Sequence, residues 1–157
     1  MKFGYLRKTK WNPTFEWVST SMECADKINS YHEDYPKYVE ITNEALRVTV
    51  GSIIIPNWKL LAIHEAIFAD KPFKGRWRDV GVIVGQHRPP HRENIADLMD
   101  ELASSYTIAS IGILEEWYKD FETIHPFEDG NGRVGGLIVA VHAHAMRPEM
   151  GWLAPNQ

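Results

Sequence analysis

A chain of 157 residues can bury one core and is too short for two ordinary domains, so a single domain over residues 1–157 is expected. With 44% hydrophobic and 24% charged residues it has the composition of a folded globular protein, and no stretch is low-complexity. A formal charge of -4 argues against a surface built for nucleic acid, the single cysteine, Cys24, excludes an intramolecular disulfide or a cysteine-rich zinc site, and no apolar run is long enough to span a membrane.

The basic start, MKFGYLRKTK, runs into Trp11-Asn12-Pro13 rather than an apolar stretch, which is unlike a Sec signal peptide. The chain therefore reads as cytoplasmic where it is made, with secretion by a non-Sec route left open. Residues 1–36 read as an N-terminal arm: residues 1–20 lack a clean period and are held on the body by aromatics such as Trp17. Residues 21–31 suit a short helix, and Tyr35-Pro36 breaks it. Residues 37–50 carry a helical stripe of Val39, Ile41, Ala45, Leu46 and Val48. Pro56-Asn57 offers a turn and a cap before a second helix bearing Trp58, Leu60, Leu61, Ile63, Ile67 and Phe68, which Lys71-Pro72 ends.

Residues 80–85, Val-Gly-Val-Ile-Val-Gly, form a β-branched run bounded by glycine, the one strong strand signal, and Pro89-Pro90 stops it. Helical spacing resumes at residues 93–102 with Ile95, Leu98, Met99 and Leu102, and again at 107–123 with Ile108, Ile111, Leu114, Trp117, Tyr118 and Phe121. Residues 133–146 are apolar nearly all round, which predicts a central helix.

Between the last two helices lies His125-Pro126-Phe127-Glu128-Asp129-Gly130-Asn131-Gly132-Arg133. Gly130, Asn131 and Gly132 ahead of a helix let several backbone N–H groups converge on one point, where the positive end of the helix dipole favours an anion. Arg133 adds a planar fork matched to phosphate oxygens, and Asp129 is a hard oxygen ligand suited to Mg²⁺. His125 has an ordinary pKa near neutrality and can take a proton from an attacking hydroxyl. Each residue alone is commonplace; together in this order they exceed what a simple turn requires.

These nine residues resemble the signature loop of the Fic domain family, and the likeness extends over about residues 57–146, where Gly75-Arg76-Trp77-Arg78 and the following residues are similar to the family's flap region. The resemblance implies a mainly α fold, a helical bundle with a short β-hairpin flap, and a protein adenylyltransferase that moves AMP from ATP to a Tyr, Ser or Thr hydroxyl of a target protein. It assigns proton removal to His125, Mg²⁺ to Asp129, phosphate binding to Gly130, Asn131, Gly132 and Arg133, and loop anchoring to Phe127. The flap, with Val80, Val82, Ile83 and Val84, would hold the target by strand addition. Nucleic acid and membrane are not expected among its partners.

One position departs from the family pattern. A second arginine, which usually grips the terminal phosphate three residues after the first, is replaced here by Gly136. This leaves open ATP in another pose, a different donor for UMP, phosphocholine or phosphate transfer, or a weakened Fic-fold binding protein. Arg147 lies about three helical turns beyond and cannot substitute from the same spot; Arg76, Arg78 and Arg88 near the flap are candidates. The inhibitory pattern of Ser or Thr, then Glu four residues on, then Gly or Asn, is incomplete at Ser19 and Glu23 because Cys24 follows. No built-in inhibitory helix is expected, so any inhibition would come from a separate protein.

The remaining histidines read as structural. His142 and His144 lie about 200° apart around a helix and do not make a metal pair. His64-Glu65 lacks the second histidine of a zinc motif, and His87 and His91 read as loop residues. Trp77 either anchors the flap or meets a partner.

Overall fold

A computed structural model describes residues 16–20 and 35–155. Its elements in chain order are β1 (Trp17–Thr20), α1 (Tyr35–Thr49), α2 (Asn57–Ile67), α3 (Ile95–Ser105), α4 (Ile111–Ile124), α5 (Asn131–Met146) and β2 (Trp152–Pro155), with 3-10 turns at Arg92–Asn94 and Pro148–Met150. The helix expected over residues 21–31, and Cys24, lie outside the described residues.

The fold is organised around α5, which packs against α1, α2, α4 and β2. Its sequence, NGRVGGLIVAVHAHAM, is rich in β-branched residues and glycine and is a poor helix former by propensity. Burial holds it: Val134, Leu137, Ile138, Val139 and Val141 are fully buried. Gly135 is required by the close approach of α4, since a Cβ there would sit 2.6 Å from Phe121 Cε1. The α4 face contributes Leu114, Trp117, Phe121 and Ile124, with the Trp117 and Phe121 rings stacked at 5.1 Å, and α3 contributes Ile95, Leu98, Met99 and Leu102.

Local expectations shift at several helix ends. Pro36 falls in the first turn of α1 instead of breaking the chain, a place where its missing N–H is harmless. Asn57 does not cap α2: Pro56 holds the cap position, and the Asn57 side chain donates instead to Asp100 Oδ1 at 2.9 Å. Ser110 caps α4, accepting from the Ile113 N–H, so that helix starts at Ile111 rather than near residue 107. β1 and β2 pair antiparallel with Trp17 opposite Pro155, a contact that local periodicity did not reveal. Trp17 joins the core edge and donates its indole N–H to Glu115 Oε1 at 2.6 Å.

The strand expected at Val80–Val84 is not a regular strand. The segment is irregular and closes on itself through one antiparallel bridge between Val84 and His87. Residues 81–83 have no backbone hydrogen-bond partner among the described residues, so the hairpin is reduced to its tip. A β-branched run favours extended backbone, but a strand needs a neighbour to pair with, and none is present among the described residues.

Candidate active site

The loop between α4 and α5 is fixed from three sides. On its own side, Asn131 folds back: its amide donates to the Phe127 carbonyl and accepts from the Phe127 N–H, both at 2.8 Å. Asn131 is thus a brace of the loop. Phe127 is fully buried and stacks on the His64 ring at 4.0 Å, with Trp77 5.2 Å away. Trp77 therefore anchors the loop from the flap side.

From α2, His64 ties the loop down. The Gly75 N–H donates to its Nδ1 at 2.9 Å, which leaves the proton on Nε2, and Nε2 donates to the Asp129 carbonyl at 3.0 Å. Burial holds the His64 pKa below the ordinary histidine value, consistent with this neutral tautomer. Phe68 lies beneath the turn at Gly130, where a Cβ would come within 2.3 Å of the ring. Gly130 itself has φ 87, so both the close contact and the left-handed backbone require glycine. Arg133 lies over the same ring, its guanidinium carbon 4.6 Å from the centroid, and its Nη2 is 3.4 Å from Asp129 Oδ1.

From the flap, Arg78 and His87 hold the C-terminal end of α4. Arg78 is 4% exposed and donates from Nε to His125 O (2.7 Å), from Nη1 to Val80 O (2.9 Å), and from Nη2 to Pro90 O (2.6 Å) and Ile124 O (3.3 Å). Its backbone N–H donates to Pro126 O at 2.8 Å. His87 Nε2 donates to Thr123 O at 3.0 Å. The last carbonyls of a helix need partners, and here the flap root supplies them.

His125 occupies the left-handed cap of α4, φ 52, the only non-glycine with positive φ among the described residues. Its ring is half-buried and its Nδ1 has no hydrogen-bond partner among them. Burial, then the Arg78 charge, pushes its pKa down to about 4, against an opposing pull from the Glu122 carbonyl. The ring is therefore neutral at pH 7, the form a proton acceptor requires. Beside it, burial raises the Glu122 carboxyl to about 7, with a hydrogen bond from Tyr118 acting the other way.

The structure brings His125, Phe127, Asp129, Gly130, Asn131, Gly132 and Arg133 into one loop running into α5. Val80, Val82, Ile83 and Val84 lie on the flap segment rooted at Arg78, which contacts the same loop. Gly136 is buried within α5. Arg78, with Nε, Nη1 and Nη2 all engaged by carbonyls, is not available as a replacement for the missing arginine. His64, Phe68, Arg78 and His87 are the site-building residues that sequence reasoning missed or set aside. Arg78 and His87 had a signal, their place in the segment that resembles the family's flap. His142 is buried in α5 and His144 stacks on Trp152 at 3.9 Å, so they form no metal pair.

Residues 55–143 match the model of the Fic/DOC family, more than half of the chain, and the chain belongs to that family. Two solved structures share the fold. A Fic domain containing signalling protein from Bacteroides thetaiotaomicron VPI-5482 aligns with TM-score 0.58 and 21% identity over 72% of this chain and 49% of that one. A Fic family protein from Desulfovibrio desulfuricans G20 aligns with TM-score 0.56 and 24% identity over 83% of this chain and 45% of that one. The chain thus spans about half the length of either. No helix among the described residues is long and apolar enough to cross a membrane.

Proposed function

We infer that the protein is a Fic-fold transferase that moves AMP from ATP to a Tyr, Ser or Thr hydroxyl of another protein. The observation that carries this reading is the pairing, in one braced loop, of a neutral His125 with the N-terminus of α5, entered through the left-handed Gly130 and carrying Arg133 in its first turn. An anion bound at the first turn of α5 would meet its backbone amides and the Arg133 guanidinium, with His125 one loop-length away as base.

In the proposed reaction the target hydroxyl oxygen forms a bond to the α-phosphorus of ATP as the bond from that phosphorus to the pyrophosphate oxygen breaks. His125 takes the hydroxyl proton, and the products are the AMP-modified target and pyrophosphate. Most of the acceleration comes from positioning and from charge held by Arg133 and the loop amides.

Asp129 suits Mg²⁺ that arrives with the nucleotide: its carboxylate is 62% exposed at the loop mouth. Among the described residues no group of three or more His, Cys, Asp or Glu is placed to hold a metal by itself, and Mg²⁺ commonly needs only one or two carboxylates beside phosphate oxygens. When bound, the ion would neutralise phosphate charge.

A second reading, transfer from another donor, is favoured by one observation: Gly136 stands where the family places an arginine, and Arg78 is already committed. Intact-mass analysis after incubation with Mg²⁺, a lysate-derived target pool and ATP, UTP, GTP or CDP-choline separates the two. An added AMP unit that is lost in His125→Ala supports the first reading; an added group from another donor supports the second. No transfer from any donor, with nucleotide binding intact, would instead favour a Fic-fold binding protein.

A further inference from the structure

The flap carries a charge pattern that the transfer chemistry does not use. Residues 71–92 contain six Lys or Arg and one Asp, in a chain whose total is -4. Arg78, Arg88 and Arg92 line, with Val82, Ile83 and His91, one recess between the flap segment and the Pro89-Pro90 turn.

None of the three arginines has a carboxylate partner among the described residues. Arg78 is buried with backbone carbonyls as its only partners, Arg92 donates to the Asp79 carbonyl at 2.8 Å, and exposed Arg88 has no hydrogen-bond or ion-pair partner among the described residues. A buried guanidinium held only by carbonyl dipoles keeps its full charge, and its field adds to that of Arg88 at the recess wall. Ile83, 67% exposed, borders the recess on the segment whose backbone has no partner at residues 81–83.

We propose that this recess is a second recognition site which reads carboxylate side chains beside the modified hydroxyl, so that the preferred partner is an acidic extended segment of a protein. The inference rests on the transferase reading above and on the flap holding the target by strand addition, as the family resemblance implies. A chain laid along the open edge places alternate side chains on opposite faces, and one of these would enter the recess within reach of Arg88. Charge complementarity selects Asp or Glu there, because a neutral side chain leaves the cationic wall unpaired and a Lys is repelled.

The test uses the full chain without nucleotide and three fluorescent peptides of one sequence around a single Tyr, flanked by Glu, by Gln or by Lys. The Glu peptide should bind about tenfold or more tighter than the Gln peptide at low salt, from one charge-assisted contact, and the difference should shrink as salt rises. Arg88→Gln should reduce the preference to within about threefold, and Arg88→Glu should turn it toward the Lys peptide. Because Arg88 is exposed, neither change threatens folding.

Equal affinity for the Glu and Gln peptides, no binding of any peptide, or tighter Arg88-dependent binding of a single-stranded oligonucleotide would each overturn the proposal. Selective binding of the Glu peptide without AMP transfer leaves acidic recognition standing and removes the transferase reading. Transfer that is indifferent to flanking charge does the reverse.

Discussion

The Arg78 guanidinium donates to the backbone carbonyl of His125 at 2.7 Å, so the flap root holds the residue that would accept the proton by its main chain. The same cation depresses the histidine's pKa, second to burial. Arg78 is a positioning residue with an electrostatic consequence.

Replacing Arg78 by Met should leave the carbonyls of Ile124, His125 and Pro90 without their donor and destabilise the protein by about 3 kcal/mol. Lysine should rescue little, because one ammonium cannot reproduce a planar fork that spans α4, the flap and Pro90. Urea unfolding measures the loss. Amide exchange at residues 79–87 and 125–130 should rise together in Arg78→Met, and separate behaviour of the two segments would contradict the coupling.

Gly130→Ala introduces two conflicts, a side chain at φ 87 and a Cβ 2.3 Å from Phe68 Cε2. The expected loss is about 2–4 kcal/mol, with nucleotide affinity reduced alongside. Phe68→Ala opens a cavity of its own, but combined with Gly130→Ala it removes the collision and leaves the backbone strain. The double variant should therefore be more stable than the sum of the single losses by about 1–2 kcal/mol. Simple additivity in chemical denaturation would show that Phe68 does not enforce the glycine.

At His125 the backbone and the side chain can be separated. Both His125→Ala and His125→Gly should abolish transfer. The glycine variant should be more stable than the alanine variant by about 1 kcal/mol, because φ 52 suits glycine and penalises alanine. Residual transfer in either, above the uncatalysed background, would argue against His125 as the base.

The pH dependence of stability contains opposing terms. His125 and His142 have folded pKa values of about 4 and about 3, below the ordinary histidine value, so the unfolded chain takes up protons first as pH falls below about 6.5 and stability declines. Burial lowers His64 in the same sense. Glu122 acts the other way: raised to about 7, its carboxyl stabilises the fold below about 4.5, and that contribution is lost as pH rises through about 7. Between about pH 6.5 and 4.5 the histidines prevail and acid destabilises. Glu122→Gln removes the one offsetting proton, so the acid-side slope should steepen by about 1.4 kcal/mol per pH unit. An unchanged slope would show that Glu122 is not protonated in the folded state.

Much of this architecture was legible because its signals were local. The stripe on α4, the all-round apolar α5 and the glycines before it each reflect short-range periodicity or backbone geometry. The functions of His64, Arg78 and His87 were not legible, because each acts through backbone carbonyls or amides far along the chain, and such acceptors exist at every residue. His64 was set aside for lacking a metal-binding partner when its partners are the Gly75 N–H and the Asp129 carbonyl. The strand at residues 80–84 was misread for a related reason: β-branched composition reports backbone preference, whereas a strand also depends on a partner that sequence alone does not supply. The β1–β2 pair was missed because its strands lie at opposite ends of the described chain.

The single bridge at Val84 and His87 has a colloidal consequence. A segment whose amides and carbonyls at residues 81–83 have no partner among the described residues, and whose Ile83 is 67% exposed, is a template for an extended chain, including the same segment of a second molecule. Arg88 and Arg92, carried in duplicate into such an encounter, would repel one another. The cations at the flap thus act as gatekeepers that keep an adhesive edge from closing on its own copy, and solutions of an Arg88→Gln, Arg92→Gln variant should scatter light at concentrations where the parent stays clear.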